Sequence, residues 1–390
     1  MYSKKHITIA VIVTFLVTSI LGAFGYYWHS EMNVDVLTAA KNLVIENYVD
    51  TLTEDQINDM NDAALTAMVA SLGDPYSYYF DMEGYDDFEE KNEEEYVGIG
   101  VNVEYNANTK TLTVTSPTSG SPAERAGILP QDIITGVDTL AIQKDGYDAV
   151  IDHIKGGNEG DVVVLHILRG GNPKTISVKR EKIVTQTVFS KMLDEAVGYI
   201  KITKFQHNSV EDFSAAIAEL KTQGAKALVI DLRNNPGGYA DSVLKMTDML
   251  LPKGTIAYLE NNRGEREYFE SDAKCVNIPM AVLINEGTAS AAELMAGSLQ
   301  AYDLATIVGK KSFGKAVGQA PIMLTTETAI YLTTARYYTP KGECIDKIGI
   351  IPDVEVELPE SLAAKLSELE VSQDPQLTRA MEEIYKEITK

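Results

Sequence analysis

Positive charge and cysteine are both scarce in this chain. Lys and Arg number 34 against 57 Asp and Glu, so the formal net charge is -23 at pH 7. A surface that binds nucleic acid needs clustered Lys and Arg for the phosphates, and the deficit therefore argues against a nucleic-acid partner. The two cysteines, Cys275 and Cys344, are far apart in sequence. They could pair outside the cytoplasm, but the sequence does not establish a disulfide.

Histidine is also scarce, and this limits the catalytic groups that the chain can offer. Of the five histidines, four flank an apolar N-terminal run or lie in a β-rich region, namely His6, His29, His153 and His166. His207 alone lies near the other candidate catalytic residues, in a polar loop without an evident acidic partner. A Ser-His-Asp triad is therefore poorly supported.

One uncharged run near the N-terminus is long enough to cross a bilayer. Ile7–Trp28 contains 22 residues without a charge, and as a helix it would be roughly 33 Å long. Lys4 and Lys5 before it and the Tyr26-Tyr27-Trp28 cluster at its end predict a membrane anchor with a cytoplasmic N-terminus. The alternative is a cleaved signal peptide with a weak site at Ala23-Phe24-Gly25. Both interpretations place the body of the protein outside the cytoplasm.

The pattern along the chain changes several times, as expected for 390 residues with more than one hydrophobic core. Residues 31–95 are helical, with a capping-box pattern from Thr53 to Gln56, and 96–182 are short alternating runs typical of a β-rich module. In 183–358 strands alternate with helices, which predicts a mainly parallel sheet with functional loops at the carboxyl ends of its strands. Residues 1–30 hold the membrane or signal segment, and 359–390 are a charged helical tail.

The acidic residues cluster in Asp81–Glu95, which holds nine of them and one lysine. The run lacks the spaced ligands and central glycine of an EF-hand. We therefore predict a solvated hinge rather than a metal site.

Two turns in the α/β region carry candidate functional groups. Gly237 and Gly238 follow the predicted strand ALVIDL and can expose N–H groups to an anion or a developing oxyanion, although an ordinary β-to-α turn is the alternative. Ser290 lies among small residues at a predicted helix start, where a serine is ordinarily an N-cap. A substrate backbone could approach it closely, and the Ala291 N–H would point toward charge forming on an attacked carbonyl.

Lys315 is the candidate base for Ser290. Its neighbours are small or apolar, and desolvation can lower the pKa of a lysine until the neutral amine is populated near neutral pH. Gln319 could accept a hydrogen bond from the ammonium without adding negative charge. The segment from Gly309 also fits G-x-x-x-x-G-K, but a P-loop needs Ser or Thr where Ala316 stands.

Four motifs then point to one family: GIGV from Gly98, DLRNNPGG from Asp231, the segment from Glu286 to Gln319, and YYTPKGECIDKIGIIPDV from Tyr337. Over about residues 34–356 the chain resembles the carboxyl-terminal processing peptidases, or tail-specific proteases. These are serine proteases with a Ser-Lys dyad, usually completed by Gln, and an embedded PDZ domain. The family places lysine 25 residues after serine and glutamine four further on, as this sequence does.

The resemblance implies roles for the candidate residues. Ser290 would be the nucleophile, Lys315 the general base and Gln319 its orienting partner. The amides of Ala291 and of the Gly237-Gly238 turn would form the oxyanion hole. The implied fold is multidomain α/β, with a parallel-sheet-containing protease core of the crotonase/ClpP type, an inserted β-rich PDZ domain, and helical N- and C-terminal segments.

The resemblance also implies a peptide-binding loop in the GIGV segment. The amides of Ile99, Gly100 and Val101 would hold a free carboxylate while an extended peptide pairs with the neighbouring strand. Without the resemblance, a hairpin glycine pair is the alternative. Arg169 is a candidate carboxylate or substrate sensor, against a solvated strand-end arginine. Gln131 stands where the PDZ-like pattern has glycine.

The resemblance therefore predicts an extracytoplasmic serine endopeptidase that recognises protein C-terminal tails and cleaves through an acyl-enzyme, without a metal or organic cofactor. It also implies homodimerisation through the helical arm and the C-terminal tail, and gating of the active site by the PDZ domain. The alternative is a catalytically inactive PDZ protein that binds tails as a scaffold. The intact set of Ser290, Lys315 and Gln319 argues against it, because an inactive descendant has no need of all three.

Overall fold

The computed structural model describes residues 35–81, 84–85, 88, 95–107, 109–118, 120–272, 274–325, 328–363, 365–366 and 369–389. The predicted anchor or signal segment, Ile7–Trp28, lies outside these residues, as does most of the acidic run Asp81–Glu95. No helix in the described ranges is both long and apolar enough to cross a membrane. The chain divides into two compact units, Met1–Asp81 and Met82–Lys390.

The described part of the first unit has two helices and a short strand: α1 (Val36–Asn47), α2 (Glu54–Ala70) and β1 (Tyr78–Phe80). The predicted capping box is confirmed. Gln56 N donates to Thr53 Oγ1 at 3.2 Å, and Thr53 N donates to Gln56 Oε1 at 3.0 Å. Both bonds satisfy amides that otherwise lack partners at a helix start.

The β-rich region begins the second unit. Its strands are β2 (Glu95–Gly98), β3 (Val101–Asn106), β4 (Thr111–Pro117), β5 (Ile133–Val137), β6 (Leu140–Ala141), β7 (Val162–Arg169), β8 (Asn172–Lys179) and β9 (Glu181–Val184). Its helices are α3 (Pro122–Arg125), α4 (Ile142–Asp145) and α5 (Tyr147–Lys155). The main sheet has the order β3-β4-β5-β7-β8, with β6 beside β5, while β2 and β9 form a separate ribbon. Within the described residues β3 pairs only with β4, so its other edge is open.

Gln131 has a backbone φ of 69°, and this explains why the PDZ-like pattern has glycine there. The left-handed region costs a residue with a Cβ about 1–2 kcal/mol. We expect Gln131→Gly to raise the free energy of unfolding by up to about 1 kcal/mol, measured by urea denaturation. Gly127→Ala is the matched reverse substitution and should lower the free energy of unfolding. Gly127 has a φ of 80° and open space around an added Cβ, so the cost would come from the backbone conformation alone. A loss of stability in Gln131→Gly would contradict this account.

The α/β region contains ten strands: β10 (Val188–Met192), β11 (Val197–Ile202), β12 (Ala227–Asp231), β13 (Gly254–Asn261), β14 (Arg266–Ser271), β15 (Met280–Ile284), β16 (Ala305–Gly309), β17 (Val317–Met323), β18 (Ala329–Tyr338) and β19 (Val354–Glu355). Six form a sheet in the order β10-β11-β12-β15-β16-β19. All its neighbours are parallel except β10 and β11. This confirms the predicted mainly parallel sheet.

Helices cover both faces of the parallel sheet. The helices of this region and of the C-terminal tail are α6 (Asn208–Thr222), α7 (Ala240–Asp248), α8 (Ala291–Ala301), α9 (Glu360–Ala363) and α10 (Pro375–Ile388), with a 3-10 turn at Val371–Gln373. Phe213 and Met295, from α6 and α8, pack in one core cluster with Ile230. On the opposite face Leu377 and Ile384 of α10 form a second cluster with the sheet. The predicted charged tail therefore also has an apolar stripe that belongs to the core.

The other four strands of this region pair antiparallel with one another, in the order β17-β18-β13-β14, and are not part of the parallel sheet. The sequence pattern did not separate β13 from the parallel series, because the alternation of strands and helices gives their order but not their pairing partners. The separation matters for the site, since β17 begins two residues after Lys315 and carries Gln319.

Candidate active site

Three loops meet at the carboxyl edge of the parallel sheet. β12 leads to the Gly237-Gly238 turn, β15 leads to Ser290, and β16 leads to Lys315. The three strands are neighbours, with β15 in the middle. Because parallel strands present their carboxyl ends at one edge, the fold brings the three predicted segments together.

Ser290 is the N-cap of α8, but with an unusual backbone. Its φ is 55°, whereas an N-cap residue typically lies in the β region. Its carbonyl oxygen accepts hydrogen bonds from Leu294 N and from the Tyr337 hydroxyl, both at 3.0 Å. A left-handed serine is strained, and such strain concentrates at functional sites. The geometry therefore favours a candidate nucleophile over a simple helix cap.

The buried carboxylate of Glu293 joins the serine segment to the lysine segment. Its Oε2 accepts from Ser290 N at 2.9 Å and from Lys315 N at 2.8 Å. Its Oε1 accepts from Gly314 N at 2.6 Å and from the Ser312 hydroxyl at 2.5 Å. Because two amides share one oxygen atom, the backbones of Ser290 and Lys315 lie side by side.

Sequence reasoning missed Glu293. The available signal was the S-x-x-E spacing from Ser290, which is typical of a capping box. Burial raises the pKa of the Glu293 carboxyl, because its four hydrogen-bond donors only partly compensate for the loss of water. A buried carboxylate with a raised pKa beside a candidate nucleophile is itself a mark of a functional site.

The glycine turn lies directly against Ser290. A Cβ on Gly237 would stand 2.9 Å from Ser290 Cβ and 3.0 Å from Ala291 N, so the close approach requires glycine. The Gly237 N–H donates to Asn235 Oδ1 at 2.8 Å and is therefore engaged within the turn. No acceptor in the described part of the chain binds the N–H groups of Gly238 and Ala291. Of the three predicted oxyanion donors, these two are open.

A buried ionic network fixes the strand end before this turn. Arg233 pairs with Asp231 at 2.6 Å and with Asp374 at 2.8 Å, and the Tyr199 hydroxyl donates to Asp231 at 2.7 Å. Burial opposes the charge on Asp231, but Arg233 outweighs it and keeps the pKa of that carboxyl below its usual value. Asp374 also caps α10, so the C-terminal helix braces the turn. Sequence reasoning quoted the DLRNNPGG motif but gave these charges no role.

Lys315 is half-buried, and Gln319 lies opposite Thr333 in the pairing of β17 with β18. Gln319 Nε2 donates to Thr333 Oγ1 at 3.1 Å. The role of Gln319 as the orienting partner of Lys315 stays a prediction.

His207 does have an acidic neighbour, contrary to the expectation from sequence. Its Nδ1 lies 3.4 Å from Asp241 Oδ2, and its ring stacks on Tyr239 with the centroids 4.3 Å apart. Tyr239 follows Gly238, so the pair borders the glycine turn. The acid was missed because Asp241 is brought to His207 only by the packing of α7 beside α6.

The predicted peptide-binding loop has open amides. The Gly100 carbonyl accepts from Thr118 N and from the Ser121 hydroxyl, both at 2.9 Å. Gly100 has a φ of 70°. Within the described residues no acceptor binds the N–H of Ile99 or Gly100. Val101 then begins the open-edged strand β3, so the loop and the edge are continuous.

Arg169 is engaged in an ion pair inside the β-rich region. Its Nε and Nη2 donate to the two oxygens of Asp132 at 2.7 and 2.6 Å, and Nη2 also donates to Gly127 O at 2.7 Å. Hydrogen bonds from Arg169 keep the pKa of the buried Asp132 below its usual value. These contacts engage Nε and Nη2 of the guanidinium, and the sensor role of Arg169 stays a prediction.

The remaining candidate ligand groups are dispersed. Cys275 and Cys344 are both free thiols. In the described ranges no three His, Cys, Asp or Glu side chains are grouped as metal ligands.

Comparison with known sequences identifies two domain families in the chain. The sequence model of peptidase family S41 matches residues 196–356, and that of a PDZ domain matches 96–179. A protein of Staphylococcus saprophyticus named "Probable CtpA-like serine protease" is 32% identical over 372 residues, which cover 92% of this chain and 74% of the relative. A protein of the same name from Staphylococcus aureus is 35% identical over 368 residues, covering 91% and 73%.

Solved structures agree as well. The photosystem II D1 C-terminal processing protease is 27% identical, with a TM-score of 0.52 over 86% of this chain and 91% of that one. An S41 protease from Bacteroides fragilis has the same fold, with 20% identity and a TM-score of 0.56 over 84% and 90% of the two chains. This chain therefore belongs to peptidase family S41, as a PDZ-containing, CtpA-like serine peptidase of the carboxyl-terminal processing kind that its motifs resemble.

Proposed function

We propose that this protein is an extracytoplasmic endopeptidase that binds the unstructured C-terminal tails of other proteins and cleaves them with a Ser290-Lys315 dyad. Residues 96–182 would be the tail-binding PDZ domain and 183–358 the protease core. The observation that carries the proposal is that Glu293 Oε2 accepts hydrogen bonds from both Ser290 N and Lys315 N. The serine and lysine backbones therefore lie side by side. Burying the Glu293 carboxylate costs free energy, and its use in positioning a catalytic pair explains why the fold keeps it.

The chemistry follows from these positions. The neutral amine of Lys315 takes the proton of Ser290 as Oγ attacks the substrate carbonyl carbon. The N–H groups of Gly238 and Ala291 stabilise the oxyanion, and the positive end of α8 adds to the effect. The ammonium, oriented by Gln319, then protonates the leaving amine. The neutral Lys315 then takes a proton from a water molecule as its oxygen attacks the acyl carbon, and the ammonium returns that proton to Ser290 Oγ as the acyl bond breaks.

Tail recognition would use the loop and strand that are continuous in the β-rich region. The amides of Ile99, Gly100 and Val101 receive the terminal carboxylate, and the tail adds as a strand to the open edge of β3. Tyr105 of β3 stacks on Tyr147 of α5, with the ring centroids 4.4 Å apart. Their rings connect the strand and the helix that would flank the bound tail.

Replacing Gly100 by valine is expected to weaken tail binding by at least about tenfold, because the carboxylate loses charge-assisted hydrogen bonds when the loop is displaced. A Cβ at Gly100 would stand 2.4 Å from Ser121 Cβ. Gly120→Ala is the matched control, since Gly120 has a φ of 71° but nothing within 4 Å of an added Cβ. Fluorescence anisotropy with a labelled tail peptide, free or amidated at its C-terminus, measures the effect. Unchanged binding of the free peptide to Gly100→Val would refute the carboxylate role.

The direct test of the proposal is incubation of the full chain with a tail peptide, followed by mass spectrometry of the products. Internal cleavage near the C-terminus is the expected result. Tail binding without cleavage under several conditions would favour the alternative, a PDZ scaffold protein. The strained Ser290 and the two open amides beside it support the peptidase, because a scaffold needs neither.

Location and assembly complete the proposal. The anchor and signal interpretations of Ile7–Trp28 both export the catalytic body, and a cytosolic fraction containing the intact protein would contradict them. α1 buries none of its residues, and Val36, Leu37 and Leu43 are 74%, 58% and 60% exposed. We propose that a second copy covers this face. A monomeric mass in sedimentation would reject the homodimer.

A further inference from the structure

Phe313 has an exposed aromatic side chain on a firmly held backbone. Its side chain is 57% exposed. Its own N–H donates to Thr288 O at 3.0 Å, and the next N–H, from Gly314, donates to Glu293 at 2.6 Å. Both peptide groups that flank the Phe313 Cα are thus bonded to the segment that contains Ser290. The Phe313 backbone is therefore fixed to the nucleophile turn, while its ring is exposed to solvent.

A second exposed apolar side chain lies on the adjoining turn. Ile348 is 54% exposed, and Lys347 N donates to Gly314 O at 2.7 Å. A Cβ on Gly314 would stand 3.0 Å from Ile348 N, so the two turns are in close contact. Lys347 and Gly349 have φ values of 62° and 79°, which fold the turn tightly around Ile348. Phe313 and Ile348 therefore flank the residue that precedes Lys315.

We propose that Phe313 and Ile348 form an apolar subsite for the side chain of a substrate residue beside the scissile bond. The class of side chain that fits is aromatic or long aliphatic. This inference rests on the proposed function, because it takes the bond cleaved at Ser290 as its reference point. It concerns specificity at the cleaved bond and is separate from recognition of the tail carboxylate in the β-rich region.

Physical reasons favour a substrate side chain over simple solvent exposure. Single exposed apolar residues are common on protein surfaces and need no explanation. Here, however, two of them stand on backbones fixed to the candidate catalytic segments, so little conformational entropy is lost when a ligand packs on them. The Phe313 N–H is bonded to Thr288 O, two residues before Ser290, so this surface adjoins the turn at which the substrate would be held.

The test uses peptides that differ only in the residues flanking the cleaved bond, with Leu or Phe in one set and Gly or Asp in the other. The wild-type full chain is compared with Phe313→Ala, Phe313→Leu and Ile348→Ala. Ile351→Ala is the matched control, because Ile351 is 64% exposed and its carbonyl binds Gln300 at the far end of α8. Measurements are kcat/KM for each peptide, the acylation rate with a small fluorophosphonate, and the sedimentation mass.

We expect the wild type to cleave the Leu and Phe peptides about tenfold faster, in kcat/KM, than the Gly and Asp peptides. In Phe313→Ala, kcat/KM should fall by about this factor for the Leu and Phe peptides alone. Phe313→Leu should give values between those of the wild type and Phe313→Ala, and Ile351→Ala should match the wild type. Fluorophosphonate acylation should not change. An equal loss on all peptides, no loss on any, or a change of sedimentation mass in Phe313→Ala would overturn the subsite. Failure of the wild type to react with the probe would instead reject the serine mechanism.

Discussion

Ser290→Ala and Lys315→Ala are each expected to lower kcat for tail-peptide cleavage by at least about ten-thousand-fold. The two residues act as one unit, so removing either eliminates the activated nucleophile and leaves only the residual contribution of binding and the oxyanion donors. Liquid chromatography with mass spectrometry over long incubations measures the residual rate. Labelling by a fluorophosphonate adds a second measurement, since Ser290→Ala has no oxygen to modify and Lys315→Ala should react slowly.

His207 provides the control for the identity of the base. It has an acidic neighbour in Asp241 and borders the glycine turn, so it is the competing candidate. His207→Gln should keep most of the activity if Lys315 accepts the serine proton. Cleavage that survives Ser290→Ala, or loss of activity in His207→Gln with full activity in Lys315→Ala, would reject the proposed dyad.

Glu293→Gln is expected to lower kcat about a hundredfold with little change in KM. The carboxylate accepts hydrogen bonds at both oxygens from four donors, including Ser290 N and Lys315 N. In glutamine an NH2 group replaces one of the two acceptor oxygens and would face N–H or O–H donors. The serine and lysine segments must then move apart. A displacement of about 1 Å between catalytic groups can cost about a hundredfold in rate. Steady-state kinetics with a tail peptide measures the change.

Stability measurements separate this positioning role from a folding defect. Because burial raises the pKa of Glu293, its contribution to native stability is present at low pH and is lost as the pH rises through the raised value. The glutamine cannot ionise and lacks this pH-dependent loss. Glu286→Gln, at an exposed position before Ser290, is the matched control. A normal kcat in Glu293→Gln would contradict the positioning role. An inactive variant that urea titration shows to be already unfolded would contradict it as well.

The sequence predicted where helices and strands lie better than it predicted which strands are neighbours in a sheet. The start of α2 was predicted correctly because a capping box is a local interaction between Thr53 and Gln56. The parallel sheet was predicted correctly because strands alternate with helices over 183–358. The assignment of β13 to a second, antiparallel sheet was not predictable, since a strand's own residues do not identify its neighbours. The core role of α10 was missed for a similar reason, because its partners lie far away in sequence.

The candidate site divides in the same way. Ser290, Lys315 and Gln319 were identified from residue types and spacing within one continuous segment, and the glycine turn from its lack of side chains. Glu293 lies in that segment too, yet its role depends on three donors contributed after β16. Tyr337 and Asp374, which hold the Ser290 carbonyl and brace the glycine turn, come from distant parts of the chain.

The sequence by itself determined the family, a β-rich module followed by a parallel α/β core, and the chemical types available to the site. The family follows from the resemblance of the motifs, and the module and the core follow from local periodicity. Only the tertiary structure decided which glycine N–H is open, which carboxylate joins Ser290 to Lys315, and which arginine is committed to an ion pair. Hydrogen-bond partners are chosen by three-dimensional packing, and a buried polar group must take the partner that the fold brings to it.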